Sequence, residues 1–178
     1  NILALSLALM TTVSFAQDWN VDSRTRIDMG GDYDKMETAQ RATVGATWGG
    51  SDWGIHASTV VNYMFQDGTA GMLDARVHEA YASTDLMGYA SLTMGRQALN
   101  YGSGTLIGSN EWGATRNTRD GFVFGLDLSM ADVTLGYFSN MNGDSLTNGD
   151  GGYYLNAAKA DGDWSANLLY GSQTNTAD

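Results

Sequence analysis

Nine stretches of period-two alternation are joined by connections that switch, one after another, between long and short. The strand candidates are Trp19–Met29, Glu37–Trp48, Trp53–Gln66, Ala75–Asp85, Tyr89–Tyr101, Gly121–Ser129, Val133–Ser139, Tyr153–Lys159 and Trp164–Gln173. "GGSD" (Gly49–Asp52), "LMG" (Leu86–Gly88), "MAD" (Met130–Asp132) and "ADGD" (Ala160–Asp163) read as tight hairpin turns. Between them lie the longer Gly30–Lys35, Asp67–Asp74, Gly102–Arg119 and Asn140–Gly152. A Greek-key sandwich would break this order. An up-and-down outer-membrane barrel keeps it, with short turns at one end and long loops at the other. The pattern therefore predicts an all-β, antiparallel, up-and-down transmembrane β-barrel. Bacterial barrels have an even strand number, so the nine strands are expected to be the N-terminal part of a barrel of about 16–18 strands.

The faces of the strands agree. In "WGIHASTVVNYMFQ" one alternate set is Trp53, Ile55, Ala57, Thr59, Val61, Tyr63 and Phe65; the other is Gly54, His56, Ser58, Val60, Asn62, Met64 and Gln66. A strand with one greasy and one mostly polar face follows, long enough for a tilted bilayer crossing of about 9–11 residues. Ala42, Val44, Ala46 and Trp48 share a face, as do Phe122, Phe124, Leu126 and Leu128, and Trp164, Ala166, Leu168 and Tyr170. The opposite faces are small and polar. With only two lysines in the chain, they suit a wet lumen better than a solvent-facing soluble sheet. Trp19, Trp48, Trp53, Tyr89 and Trp164 lie near the short turns, where an interfacial aromatic belt belongs.

Ile2 to Val13 is an apolar run closed by Ser14-Phe15-Ala16. It is too short to span a bilayer as a helix and reads as a signal peptide over residues 1–16, clipped at its start, with 17–178 as one barrel domain. No cysteine is present, so there is no disulfide or thiolate site, and a net charge of −11 argues against nucleic acid. His78-Glu79 is followed by Ala80, Tyr81 and Ala82, so the two-histidine zinc helix is absent. No nucleophile elbow or phosphate loop appears. Neither an enzyme nor a resident cofactor is expected, and no catalytic residue is named. The acidic stretches Asp28–Asp34 and Asn142–Gly152 offer oxygen ligands of the kind Ca²⁺ accepts, but neither completes a calcium-loop pattern, and solvated carboxylates are the simpler reading.

The charged residues of the inner face are better candidates for function. Parity places Asp22, Arg24, Arg26 and Asp28 of the first strand inward, and Arg41 beside them. Three guanidiniums on adjacent strands form a positive stripe able to grip carboxylates or phosphates; alternatively the arginines pair with the aspartates and brace the wall. Arg96 shares parity with the outward Leu92 and Met94, unless a bulge at Gly95 re-aims it. The long connection after it carries Trp112, Arg116 and Arg119, either folded inward as a constriction or exposed as an outer loop.

Gly95-Arg96-Gln97, Tyr101-Gly102, Leu106-Ile107-Gly108, Trp112 and Arg119-Asp120-Gly121, with "RTRID" (Arg24–Asp28) and "QRATVGATW" (Gln40–Trp48), resemble the alginate-export type of outer-membrane porin of Gram-negative bacteria. The likeness covers roughly Arg24 to Leu128. It implies a barrel that passes anionic polyuronate along an arginine-lined lumen, with Arg24, Arg26, Arg41 and Arg96 on the anion pathway. Thr105 stands where the family carries arginine, and Asp22, Asp28 and Asp127 share the inner wall. The expectation is therefore a porin-like channel in the outer membrane, in contact with lipid and lipopolysaccharide, for small hydrophilic or anionic solutes, possible uronate oligosaccharides among them. Oligomeric state is left open. The alternative is a secreted or surface-attached β-sheet adhesin or glycan-binding module, in which the greasy faces pack together.

Overall fold

Strands form wherever apolar and polar residues alternate. The computed structural model describes residues 16–28, 37–65, 73–113, 116–139 and 151–174, and every regular element among them is a strand. In chain order these are β1 (Ala16–Asp28), β2 (Glu37–Gly49), β3 (Trp53–Phe65), β4 (Leu73–Leu86), β5 (Ala90–Gln97), β6 (Arg119–Leu128), β7 (Ala131–Ser139), β8 (Gly151–Asp161) and β9 (Trp164–Thr174). The connections between them, 29–36, 50–52, 66–72, 87–89, 98–118, 129–130, 140–150 and 162–163, alternate long and short as expected. The leader's residues 1–15 lie outside the described residues. So does nearly all of both acidic stretches considered for Ca²⁺.

The chain divides into two compact units, one up to Arg76 and one from Val77 onward. In the first, β1, β2 and β3 pair antiparallel in sequence. In the second, β4 through β9 do the same. Neither unit has a crossover, so the fold is an all-β antiparallel meander. Local chemistry sets the tight turns. Met87 and Gly88 both have positive φ, 59° and 73°, and the Tyr89 amide donates to the Leu86 carbonyl at 3.3 Å. That is the type I′ geometry whose twist matches flanking strands. The Asp85 carboxylate accepts the Gly88 amide and fixes the turn further.

Burial is inverted relative to a sheet that hides its oil from water. Trp19, Val21, Val44, Ile55, Tyr63 and Phe65 of the first unit are exposed, while Arg41, Thr43 and Ser58 on the opposite face are buried. In the second unit the register aligns Leu92, Phe124, Leu135, Leu155 and Tyr170 in one row across five strands. Phe122, Tyr137 and Tyr153 form a second row beside it. Most of these side chains are open on their outer side. Polar groups on the apolar faces satisfy one another. Gln40 Nε2 donates to Ser23 Oγ at 2.6 Å, and the Thr25 hydroxyl donates to Gln40 Oε1.

Two expectations need correction. β5 ends at Gln97, not Tyr101, because the next amide leaves the ladder: Ala98 N donates to Glu79 Oε1 at 3.0 Å. The register from Ala90↔Leu126 to Gln97↔Arg119 steps without an extra residue, so there is no bulge at Gly95. Arg96 therefore stays on the face of Met94 and Phe122 and does not join the polar wall.

Candidate functional site

In the first unit, the register sets Arg24 opposite Arg41, and Arg41 opposite Asn62. Arg26 lies one same-face step beyond Arg24, opposite Ala39. Like charges directly across a ladder repel, and Asp22 offsets this: its Oδ2 lies 3.7 Å from Arg41 Nη2, whose side chain is only 9% exposed. Asn62 Nδ2 donates to Asp74 Oδ2 at 3.5 Å and extends the polar row. The stripe and the brace thus coexist, with Asp22 serving Arg41. The side chain of Asp28 lies outside the described residues. His56 Nδ1 hydrogen-bonds Thr47 Oγ1 at 2.8 Å, an ordinary wall contact.

In the second unit the polar face is covered by the connection 98–118, and a slip in β4 prepares its anchor. Val77, Ala80 and Ala82 are exposed, whereas His78, Glu79, Tyr81 and Ser83 are covered. Two neighbours covered in succession break strict alternation. His78 Nε2 and Glu79 Oε2 are 4.0 Å apart, side by side. The slip brings the Glu79 carboxylate to the Ala98 amide, where the chain turns off the sheet.

From there Leu99 and Ile107 bury themselves against Phe138 and Tyr154, with Tyr101, Val123 and Leu169 around them. Tyr154 is only 2% exposed. Each ring covers a glycine on the neighbouring strand: a Cβ at Gly136 would overlap the Tyr154 ring, and one at Gly152 would meet Phe138. Gly136, inside β7, and Gly152, the second residue of β8, make room for rings lying against the sheet. The Tyr101 and Tyr154 hydroxyls are 2.8 Å apart, with ring centroids at 5.0 Å. Gly102, at φ 58°, sits against Asn167, which donates to Asn156 Oδ1 at 2.7 Å. The connection therefore crosses from β5 over the faces of β6–β8 to β9. It is tied internally by Tyr101 N to Ile107 O at 3.0 Å and Asn117 N to Ser109 O at 2.7 Å.

The three residues named for a constriction take different places. Trp112 is 82% exposed and projects from the loop. Arg116 is held by Glu111, Nη1 to Oε2 at 3.3 Å. Arg119, at the start of β6, lies 4.4 Å over the Phe138 ring on the polar face. Arg96 grips Asp120 with a fork, Nε to Oδ1 at 2.8 Å and Nη2 to Oδ2 at 2.7 Å. This pair neutralises a charge on the apolar face rather than presenting one on the polar face. Trp19, Trp53 and Trp164 are exposed near strand ends, Trp48 flanks the 50–52 turn, and Tyr89 sits in the 87–89 turn.

Sequence reasoning missed Glu79 as the loop's anchor and Tyr154 as its seat. The available signal for Tyr154 was Gly136, a glycine inside a strand with no turn to explain it. No signal marked Glu79. Among the described residues, no group of three or more metal-ligating side chains is arranged to hold a metal ion.

Burial pushes the Tyr101 hydroxyl above the ordinary phenol value, against a smaller opposing effect of its hydrogen bond with Tyr154. A raised value means that the packed loop holds this proton more tightly than the released loop. The contribution is fully present below about pH 10 and is lost as pH rises through the packed loop's own titration. Limited proteolysis should leave 98–118 intact at neutral pH and cut it increasingly above about pH 10; equal cutting at both would remove Tyr101 as an anchor. The chain matches no known family model and no curated protein.

Proposed function

We propose that this chain is part of an outer-membrane channel that passes small hydrophilic or anionic solutes, and not an enzyme. The observation that carries the reading is the inverted burial. On β2, β3, β7 and β8 the large apolar side chains Val44, Ile55, Tyr63, Leu135, Tyr137, Tyr153 and Leu155 are open, while Arg41, Thr43, Ser58 and Asn156 lie on the covered side. An exposed apolar face of this extent marks an interaction surface, and its regular rows suit acyl chains. In hydrocarbon, open ladder edges are intolerable, so the reading includes closure into a ring with strands outside this chain. The Arg24–Arg41 row would then face the solute path. The resemblance to alginate-export porins supports an anionic solute; Asp22 and the inner Asp127 temper any single-sign selectivity.

Full-length protein in planar bilayers should conduct. Replacing Arg24 and Arg41 together with glutamine should shift the reversal potential toward cation preference, because charged rings and stripes set pore selectivity. An unchanged potential would assign both to bracing. A folded, detergent-free monomer would instead support the adhesin or glycan-binding alternative.

A further inference from the structure

We propose that the apolar face of β6–β8 seats one phospholipid with a phosphoethanolamine head, its chains in a groove and its head on Arg96 and Asp120. The proposal rests on the outer-membrane reading, since it needs this face to meet lipid. An open groove of about 510 Å³ runs along the face, walled by Phe122, Phe124, Leu135, Tyr137, Tyr153 and Leu155. Rings fixed on either side of leucines give a hydrocarbon chain many close contacts, each small and together sizeable. The Arg96–Asp120 pair lies outside the groove, one same-face step beyond Met94 and Phe122 in the register. That step is about 7 Å along a strand, so a head group leaving the groove meets the pair next. Tyr137 reaches the same way: its hydroxyl lies beside Gly151, where a Cβ would meet it at 3.0 Å. Gly151 pairs with Ser139, and Ser139 Oγ donates to the Asp120 carbonyl at 3.3 Å. Guanidinium, carboxylate and phenol therefore stand at one end of an otherwise apolar furrow.

The charge pattern chooses the head. The fork uses Arg96 Nε and Nη2 and leaves Nη1 without a hydrogen bond among the described residues. The two side chains are 41% and 46% exposed, so a ligand can reach both. A carboxylate has about four lone-pair sites, and the fork takes two of them. The pair is neutral overall, with a donor at one end and acceptors at the other. A phosphate accepts from Arg96 in a charge-assisted bond, and a primary ammonium donates to Asp120. Phosphoethanolamine carries both groups. A choline head has no N–H to donate. A glycerol head leaves the lipid anionic, which Asp120 repels while Arg96 is already neutralised. Lipopolysaccharide, with several phosphates, fares worse for the same reason.

The test is native mass spectrometry of the full-length protein in detergent, titrated with phosphatidylethanolamine, phosphatidylcholine or phosphatidylglycerol of identical chains. One phosphatidylethanolamine adduct is expected, held about tenfold more tightly than the other two, the worth of one hydrogen bond to a charged group. Asp120→Asn should erase the preference over phosphatidylcholine. Where that variant does not fold, the double change Arg96→Leu with Asp120→Leu removes both charges together; it should fold and lose the preference. Absence of a saturable adduct, equal binding of the three lipids, an unaltered preference in the double variant, or tighter binding of lipopolysaccharide would overturn the proposal. A lipid-free dimer would overturn it too, by giving the face to a second copy. Conductance and detergent dependence are recorded on the same protein. A conducting channel without lipid preference counts against this proposal alone, whereas a folded, detergent-free monomer removes the outer-membrane reading and this proposal with it.

Discussion

Leu135→Arg is expected to cost about 2–4 kcal/mol of folding free energy in a bilayer, the penalty for a charge at the lipid-facing midplane of a barrel. Leu135 sits at the centre of the apolar row, between Phe124 and Leu155. Its side chain is 45% exposed, so in a water-facing sheet the same arginine would be nearly free of cost. Thr134→Arg, one residue earlier, enters the polar face near Asp132 and Asp127, which line one open pocket with it. It should change stability by no more than about 0.5 kcal/mol, as an ordinary surface substitution does. Denaturant titration of the full-length protein in lipid vesicles reads both. Equal effects for the two would remove the distinction between an oily and a wet side.

Tyr154→Ala is expected to cost about 3–5 kcal/mol, the usual range for emptying an aromatic core position. The loss has three parts: the ring's cover over Gly136, its packing against Leu99 and Ile107, and the hydroxyl partner of Tyr101. Tyr154→Phe removes the last part alone and should cost about 1 kcal/mol. The two variants also separate stability from gating. If the loop narrows the conducting path, Tyr154→Ala should raise and destabilise single-channel current while Tyr154→Phe stays close to the parent. Unchanged current in Tyr154→Ala would place the loop outside the path.

Much of the fold was legible because period-two alternation and turn chemistry are local properties. The turn at Leu86–Tyr89 and the apolar rows of β6 and β7 follow from neighbouring residues alone. The misplaced end of β5 shows where locality fails. Ala98, Leu99, Asn100 and Tyr101 continue the alternation, yet Leu99 and Tyr101 are apolar to serve a loop packing on Phe138 and Tyr154. Only the tertiary partner distinguishes the two uses. The slip at His78–Glu79 was invisible because no glycine or proline marks it. Arg96 is instructive in another way. Alternation put it outward with Met94, the family likeness put it on the anion pathway, and the geometry follows the alternation, with Asp120 supplying the counter-charge. The Arg24–Arg41 row was legible because both residues obey parity on adjacent strands.

The most direct measurement places nitroxide labels in pairs along β2, β6 and β7 of the full-length protein in lipid bilayers: Val44 with Thr47, Leu126 with Asp127, and Leu135 with Thr134. Collision with dissolved oxygen should dominate at Val44, Leu126 and Leu135, and collision with a water-soluble nickel chelate at Thr47, Asp127 and Thr134. Shielding of both members of each pair from oxygen and nickel alike would mean that protein, not lipid, covers the apolar faces, and would contradict the account.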